Sequence, residues 1–230
     1  MWNNNCNFAI SNIIRWEDQG GRMKDMNVAI VKYNAGNIYS VVNALQRLGV
    51  EPLLTDNPEE LQKADRVIFP GQGEARTAMS YLRERELDKL ITQLRQPVLG
   101  ICIGQQLLCR HSEEGDTDCI GIFPVEVKRF QPNRHEEKVP CMGWQPIETK
   151  SVKLFNGLVR QEEEQDFPYA YFVHSYYVPT CEWTIATARY ITPYSAALHR
   201  DNFWATQFHP EKSGSVGEKI LQNFLDIEEK

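Results

Sequence analysis

Three short segments of this 230-residue chain bring together side chains able to do chemistry. The first is Gly100-Ile101-Cys102-Ile103-Gly104, which follows an apolar run at 97–101 and precedes a helix-like stretch at 105–108. It has the glycine, any residue, nucleophile, any residue, glycine form of a strand-to-helix elbow. There the flanking glycines leave room for a tight turn, and the central side chain stands on strained backbone. A cysteine in that place puts its sulfur near a helix N-terminus, where the dipole favours thiolate over thiol. The competing reading of the pentapeptide alone is a buried cysteine in a glycine-rich turn.

The second segment is Phe208-His209-Pro210-Glu211, at the end of an aromatic-rich run. In extended backbone residues i and i+2 face the same way, so His209 and Glu211 are expected to project together. A general base and its orienting carboxylate need that arrangement: the carboxylate sets the imidazole tautomer and stabilises the imidazolium formed when histidine takes a thiol proton. The third segment is Phe69-Pro70-Gly71-Gln72-Gly73-Glu74, where an apolar strand runs into a glycine loop. Its backbone N–H groups at Gly71, Gln72 and Gly73, with that of Ile103, could face a developing oxyanion. A phosphate-binding loop is the rival reading, but the segment lacks both the Lys-Ser/Thr of a Walker A motif and a dinucleotide fingerprint.

The surrounding pattern must bring these segments together. Residues 27–33 read as a buried strand, 34–36 as a turn, and 37–48 as a helix with Ile38, Val41, Val42, Leu45 and Leu48 on one face and Gly49 as its cap. Strands follow at 52–55, 66–69 and 97–101. Asn57 with Pro58 starts one helix, and a further helix is read at 84–94. Alternating strands and helices imply an α/β fold with a doubly wound, mostly parallel sheet, whose sites form beyond the carboxyl ends of the strands. From residue 120 onward the chain becomes β-rich, with runs at 123–130, 170–178, 184–190, 196–198 and 203–208. A helix at 213–227 closes it. No internal repeat or long linker divides the chain. Residues 1–25 show no sustained period and are read as an extension, disordered or not native, ahead of a single domain over 26–230.

Composition narrows the partners. A formal net charge of −6 argues against nucleic acid, and no apolar run approaches the roughly 18 residues of a membrane span. Six cysteines without a C-x-x-C pair suggest free thiols and a cytoplasmic protein. His111, His135 and His199 lack metal-ligand spacing, so neither metal nor cofactor is expected. The aromatic run 169–177 reads as a core strand with His174 as a satisfied buried histidine. The charge run Glu162-Glu163-Glu164 reads as solvated, and Trp144 as a core residue or an exposed interface anchor.

Taken together, Gly100-x-Cys102-x-Gly104-x-Gln106, His209-Pro210-Glu211 and Pro70-Gly71-x-Gly73 resemble the class I (triad) glutamine amidotransferases. Within them, Tyr33-Asn-Ala-Gly-Asn-Ile-Tyr-Ser40, Phe69-Pro-Gly-Gln-Gly-Glu74, Val139-Pro-Cys-Met-Gly-Trp144 and Tyr171-Phe-Val-His-Ser-Tyr176 are similar to the glutaminase subunits of imidazole glycerol phosphate synthases. The resemblance spans about residues 26–228. It implies Cys102 as nucleophile, His209 as general base and acid, Glu211 as orienting partner, and the 71–73 loop as an oxyanion loop that rearranges before it donates. It also implies glutamine contacts by Gln106, Glu114, Ser175 and Tyr176, and a partner-facing role for Trp144 and Lys212. The partner it implies is a cyclase subunit with a (β/α)8 barrel, joined in a heterodimer, which receives ammonia from L-glutamine. Cys141 and Gln145 depart from the family pattern, which has His and Asn there, and Gln105 stands where Met is frequent. Another class I glutaminase, a γ-glutamyl peptidase and a non-enzymatic binding module are the rival readings, separable by partner dependence.

Overall fold

The computed structural model describes residues 26–33, 38–71, 73–158 and 167–228. The extension at 1–25, the turn at 34–36, Gln72 and Glu162 to Glu164 therefore lie outside the described residues.

Five parallel strands make up one side of an eight-stranded sheet: β1 (Val28–Val31), β2 (Leu53–Thr55), β3 (Arg66–Phe69), β4 (Val98–Ile101) and, from the far end of the chain, β14 (Phe203–Thr206). The order is β2-β1-β3-β4-β14, and it continues antiparallel through β13 (Pro193–Arg200), β12 (Thr184–Arg189) and β9 (Glu148–Thr149). Strands β1, β3, β4 and β14 are buried along their whole length because both faces are covered, whereas β2 at the sheet edge exposes Leu53 and Leu54. In β1, Val28 and Ile30 enter one core while Ala29 and Val31 enter the other. The first core is covered by α1 (Tyr39–Arg47) and the C-terminal α6 (Gly214–Leu225). The second is covered by α2 (Pro58–Lys63), α3 (Ala75–Glu84), α4 (Leu87–Gln93) and the short α5 (Ile103–Leu107). This is the doubly wound mixed sheet expected from the alternation.

The remaining strands form two smaller sheets. One pairs β8 (Cys141–Pro146) with β10 (Tyr169–His174). The other runs in the order β11 (Tyr176–Tyr177), β7 (Phe123–Arg129), β5 (Cys109–Ser112), β6 (Thr117–Asp118). No helix among the described residues is long and apolar enough to cross a membrane.

Several boundaries differ from those read in the sequence. The helix expected at 84–94 is α4, which begins only at Leu87, after Glu86, whose φ of 54° lies in the left-handed region; α3, which ends at Glu84, is a helix the sequence reading lacked. The start of α3 is capped by Glu74, whose carboxylate accepts from the Thr77 N–H. The run 170–178 is two strands that part at Ser175 and join different sheets. The helix cap at Asn57 is as expected, with its side chain accepting from the Glu59 N–H at 2.9 Å.

Candidate active site

The carboxyl ends of β3, β4 and β14 converge, and each of the three chemical segments begins at one of them. Cys102 follows β4 directly at φ 53° and ψ −108°, a conformation few non-glycine residues adopt, and its N–H donates to the Thr206 carbonyl of β14 at 2.7 Å. The strained backbone is thus held by its neighbour strand and turns the chain into α5. Close packing explains the glycines. A Cβ on Gly104 would lie 2.2 Å from the Phe69 carbonyl oxygen at the end of β3, and one on Gly100 would lie 2.8 Å from the Leu108 side chain.

The glycine loop rests on this elbow. A Cβ on Gly71 would lie 1.8 Å from the Ile101 carbonyl oxygen and 2.7 Å from Cys102 Cβ. The Tyr33 hydroxyl donates to the Pro70 carbonyl and ties the loop to the end of β1. Gly73, at φ 123°, lines the cavity in front of the sulfur. Ile103 also lines it and is the first residue of α5, so its N–H has no acceptor within that helix.

His209 and Glu211 project together as the spacing predicts: Nδ1 lies 2.7 Å from Glu211 Oε1, with the two side chains 3% and 2% exposed. The Glu211 Oε2 atom has no hydrogen-bond partner among the described residues, so the carboxylate is aimed at the imidazole. The His209 backbone donates to the Tyr171 carbonyl at 2.9 Å, and its carbonyl accepts from Ser213 Oγ at 2.7 Å. With Nδ1 engaged, Nε2 is the nitrogen left for the Cys102 sulfur. Burial alone would lower the imidazole pKa, but the adjoining Cys102 and Glu211 outweigh it and lift the value to about 10. The arrangement therefore stabilises imidazolium beside the sulfur.

The cavity at Cys102 has a volume of about 190 Å³. Of the residues expected from the sequence, it gathers Gly73, Cys102, Ile103, Gln106, Glu114, Ser175 and Tyr176. Gly71, His209 and Glu211 stand behind this lining, and Gln72 lies outside the described residues. Glu114 Oε2 accepts from the Ala75 N–H at 2.9 Å; burial raises its pKa despite that bond. The backbone carbonyls of Ser175 and Tyr176 are already engaged, the first by the Phe130 N–H, the second by Gln106 Nε2 and His174 Nδ1. Larger hollows exist, one of about 760 Å³ lined by Pro97, Asn202 and Trp204 at the amino ends of β4 and β14. The residues expected to do chemistry gather at the smaller cavity, the one that holds Cys102.

Pro140, Val173 and His174 join the lining without having been expected there. His174 is buried as predicted, but only half satisfied: Nδ1 is 2.7 Å from the Tyr176 carbonyl, whereas Nε2 has no partner among the described residues. Burial lowers its pKa to about 4, with His209 adding to the effect, so the ring is neutral at pH 7. Ser213 and Gly217 also escaped the sequence reading. Ser213 links His209 to the Tyr171 N–H, and a Cβ on Gly217 would strike the Pro210 carbonyl at 1.8 Å. The turn carrying Glu211 is therefore set by α6.

Trp144 and Lys212 lie outside the cavity. Trp144 is 55% exposed, next to Met142 at 67%, on the outer face of the β8–β10 sheet, edge-on to its cross-strand partner Tyr171. Lys212 is exposed on the turn that carries Glu211. Beneath β8, the departing residues Cys141 and Gln145 contact each other, and the Tyr194 hydroxyl donates to Gln145 Oε1 at 3.0 Å.

Residues 29–227 match the model of the class-I glutamine amidotransferase family. Over 202 residues the chain is 60% identical to the imidazole glycerol phosphate synthase subunit HisH of Bacteroides thetaiotaomicron, an alignment covering 88% of this chain and 100% of that protein. Identity to the protein of the same name from Escherichia coli K12 is 43% over 204 residues, covering 88% and 100%. A crystal structure of a glutamine amidotransferase superposes with a TM-score of 0.63 at 19% identity, covering 87% of this chain and 98% of that one, a likeness of fold alone.

Proposed function

Because the chain belongs to the class-I glutamine amidotransferase family, among the HisH subunits of imidazole glycerol phosphate synthase, we propose that it is the glutaminase of that synthase and works through Cys102, His209 and Glu211. It serves histidine biosynthesis. The observation that carries the triad is the buried His209–Glu211 pair, 2.7 Å apart, beside a cysteine on left-handed backbone.

In this reaction Cys102 gives its proton to His209, and the thiolate attacks the side-chain carbonyl carbon of glutamine. The new C–S bond turns the carbonyl into an oxyanion, met by N–H groups of Ile103 and the Gly71 to Gly73 loop. The intermediate collapses with cleavage of the C–N bond, and the His209 imidazolium protonates the leaving nitrogen to release ammonia. Water, deprotonated by His209, then attacks the thioester and frees glutamate and Cys102. Gln106, Glu114, Ser175 and Tyr176 hold the amino-acid part of glutamine in the cavity.

Ammonium is not a nucleophile, so the ammonia must reach its acceptor shielded from water. That acceptor belongs to a cyclase subunit with a (β/α)8 barrel, docked on the face bearing Trp144 and Lys212, in the cytoplasm. Residues 26–230 form the catalytic domain, and residues 1–25 are an extension to it. A glutaminase assay with and without the cyclase and a ligand for its barrel site tests this reading. Low activity alone and strong stimulation in the complex are expected, because the family resemblance implies an oxyanion loop that rearranges before it donates. A full rate from the isolated chain, unchanged by the cyclase, refutes the synthase-subunit reading.

A further inference from the structure

Gln207 is fully buried just after β14, two residues before His209, and its side chain reaches the same sulfur. Its Nε2 donates toward Cys102 Sγ at 3.8 Å. Its Oε1 accepts from Gln106 Nε2 at 3.0 Å. An amide can be turned either way, so its orientation must be argued from its partners. Gln106 Nε2 also donates to the Tyr176 carbonyl at 3.0 Å, and a backbone carbonyl can only accept. Gln106 is therefore set with its N–H groups toward Gln207, and Gln207 must answer with its oxygen. Its own N–H group is left directed at the sulfur.

Besides His209, a further polar neighbour of Sγ is the Val173 carbonyl at 3.9 Å, which can only take the proton of a thiol. The sulfur thus lies between an acceptor suited to the thiol and a donor suited to the thiolate. A hydrogen bond to an ionised acceptor is roughly twice as strong as one to a neutral acceptor, so a donor here favours the thiolate.

We propose that Gln207 is a catalytic residue of this glutaminase, its side-chain N–H supporting the Cys102 thiolate and holding the sulfur for attack, with Gln106 as its positioning residue. The inference rests on Cys102 being the nucleophile. It is tested on the full chain in complex with its cyclase, comparing wild type with Gln207→Met and Gln207→Glu, both close in size and both without the N–H. Two assays are read: steady-state kinetics, giving kcat and KM for glutamine, and the rate of Cys102 alkylation by iodoacetamide against pH, followed by peptide mass spectrometry.

Loss of one hydrogen bond to a charged group predicts a fall in kcat of about tenfold or more, with KM changed by less than about twofold. The pH of half-maximal alkylation should rise by about one pH unit. A folded variant with wild-type kcat and an unmoved alkylation profile overturns the proposal, as does a change confined to KM. Failure of both variants to fold also counts against it, because Gln207 would then be a structural residue. Cys102→Ala separates the two levels of the argument: if it retains glutaminase activity, the nucleophile assignment itself fails, whatever Gln207 does.

Discussion

Replacing Glu211 by glutamine removes a charge while keeping the shape of the buried pair with His209. The two side chains are 3% and 2% exposed and 2.7 Å apart at their nearest atoms, so solvent and salt screen their attraction little. With the two charge centres about 4 Å apart and an effective dielectric of about 20, the attraction between imidazolium and carboxylate is about 4 kcal/mol. An amide oxygen in the same place still accepts from Nδ1 and retains about 1 kcal/mol. The net loss of about 3 kcal/mol falls on the step in which His209 carries the proton, and corresponds to a fall in kcat on the order of a hundredfold. If the amide turns its NH2 toward Nδ1, the tautomer inverts and the loss is larger. The assay is steady-state glutaminase turnover in the complex with cyclase, with ammonia or glutamate as the readout. A Glu211→Gln enzyme with kcat within about threefold of wild type, or a loss confined to KM, would refute the assignment of Glu211 as the orienting carboxylate.

Further expectations concern proton equilibria and the loop. Since the Cys102 and Glu211 environment lifts the His209 pKa to about 10, the imidazolium proposed to protonate the leaving nitrogen should persist through neutral pH. kcat/KM should hold between pH 7 and 9 and decline only toward about 10, a profile that an alkaline limb near pH 7 would contradict. His174 acts on stability with the opposite sign. Its folded value of about 4 lies below the unfolded value of about 6.5, so between these limits the unfolded chain binds a proton that the native one does not. Its contribution is intact above pH 6.5 and is lost as pH falls, by about 3 kcal/mol at pH 4. Urea unfolding at several pH values should show a shallower acid decline in His174→Phe than in wild type. Gly71→Ala places a methyl group 1.8 Å from the Ile101 carbonyl and must lift the loop off the elbow. An ångström-scale displacement predicts a loss in kcat of about a hundredfold, checked by turnover alongside a thermal melt that shows the variant still folded.

Much of this protein is legible in its sequence because the relevant physics is local. The glycines around Cys102 state that the backbone there must turn tightly. The two-residue spacing of His209 and Glu211 puts both on one side of an extended segment. The apolar runs of β1, of β4 and of residues 67–69 in β3 announce strands covered on both faces, and Asn57 before Pro58 marks a helix start through a bond two residues long. Where the sequence reading failed locally, the cause was a conformation no residue type demands: Glu86 in a left-handed turn delays the helix expected from residue 84 to Leu87, and a break at Ser175 sends one expected strand into two sheets.

What only the tertiary structure decided depends on groups distant in the chain. Gln207 is one more buried polar residue until folding sets Gln106 beside it, and the direction of its N–H follows from the Tyr176 carbonyl beyond. His174 reads as an ordinary core histidine, and only the packed cavity leaves its Nε2 without a partner among the described residues. Gly217 has no local reason to be glycine; the reason is the Pro210 carbonyl that α6 meets on closing against the turn of Glu211. Residue types and short spacings name the atoms that can react. Their directions, protonation and neighbours are set by contacts between chain segments, which no local pattern encodes.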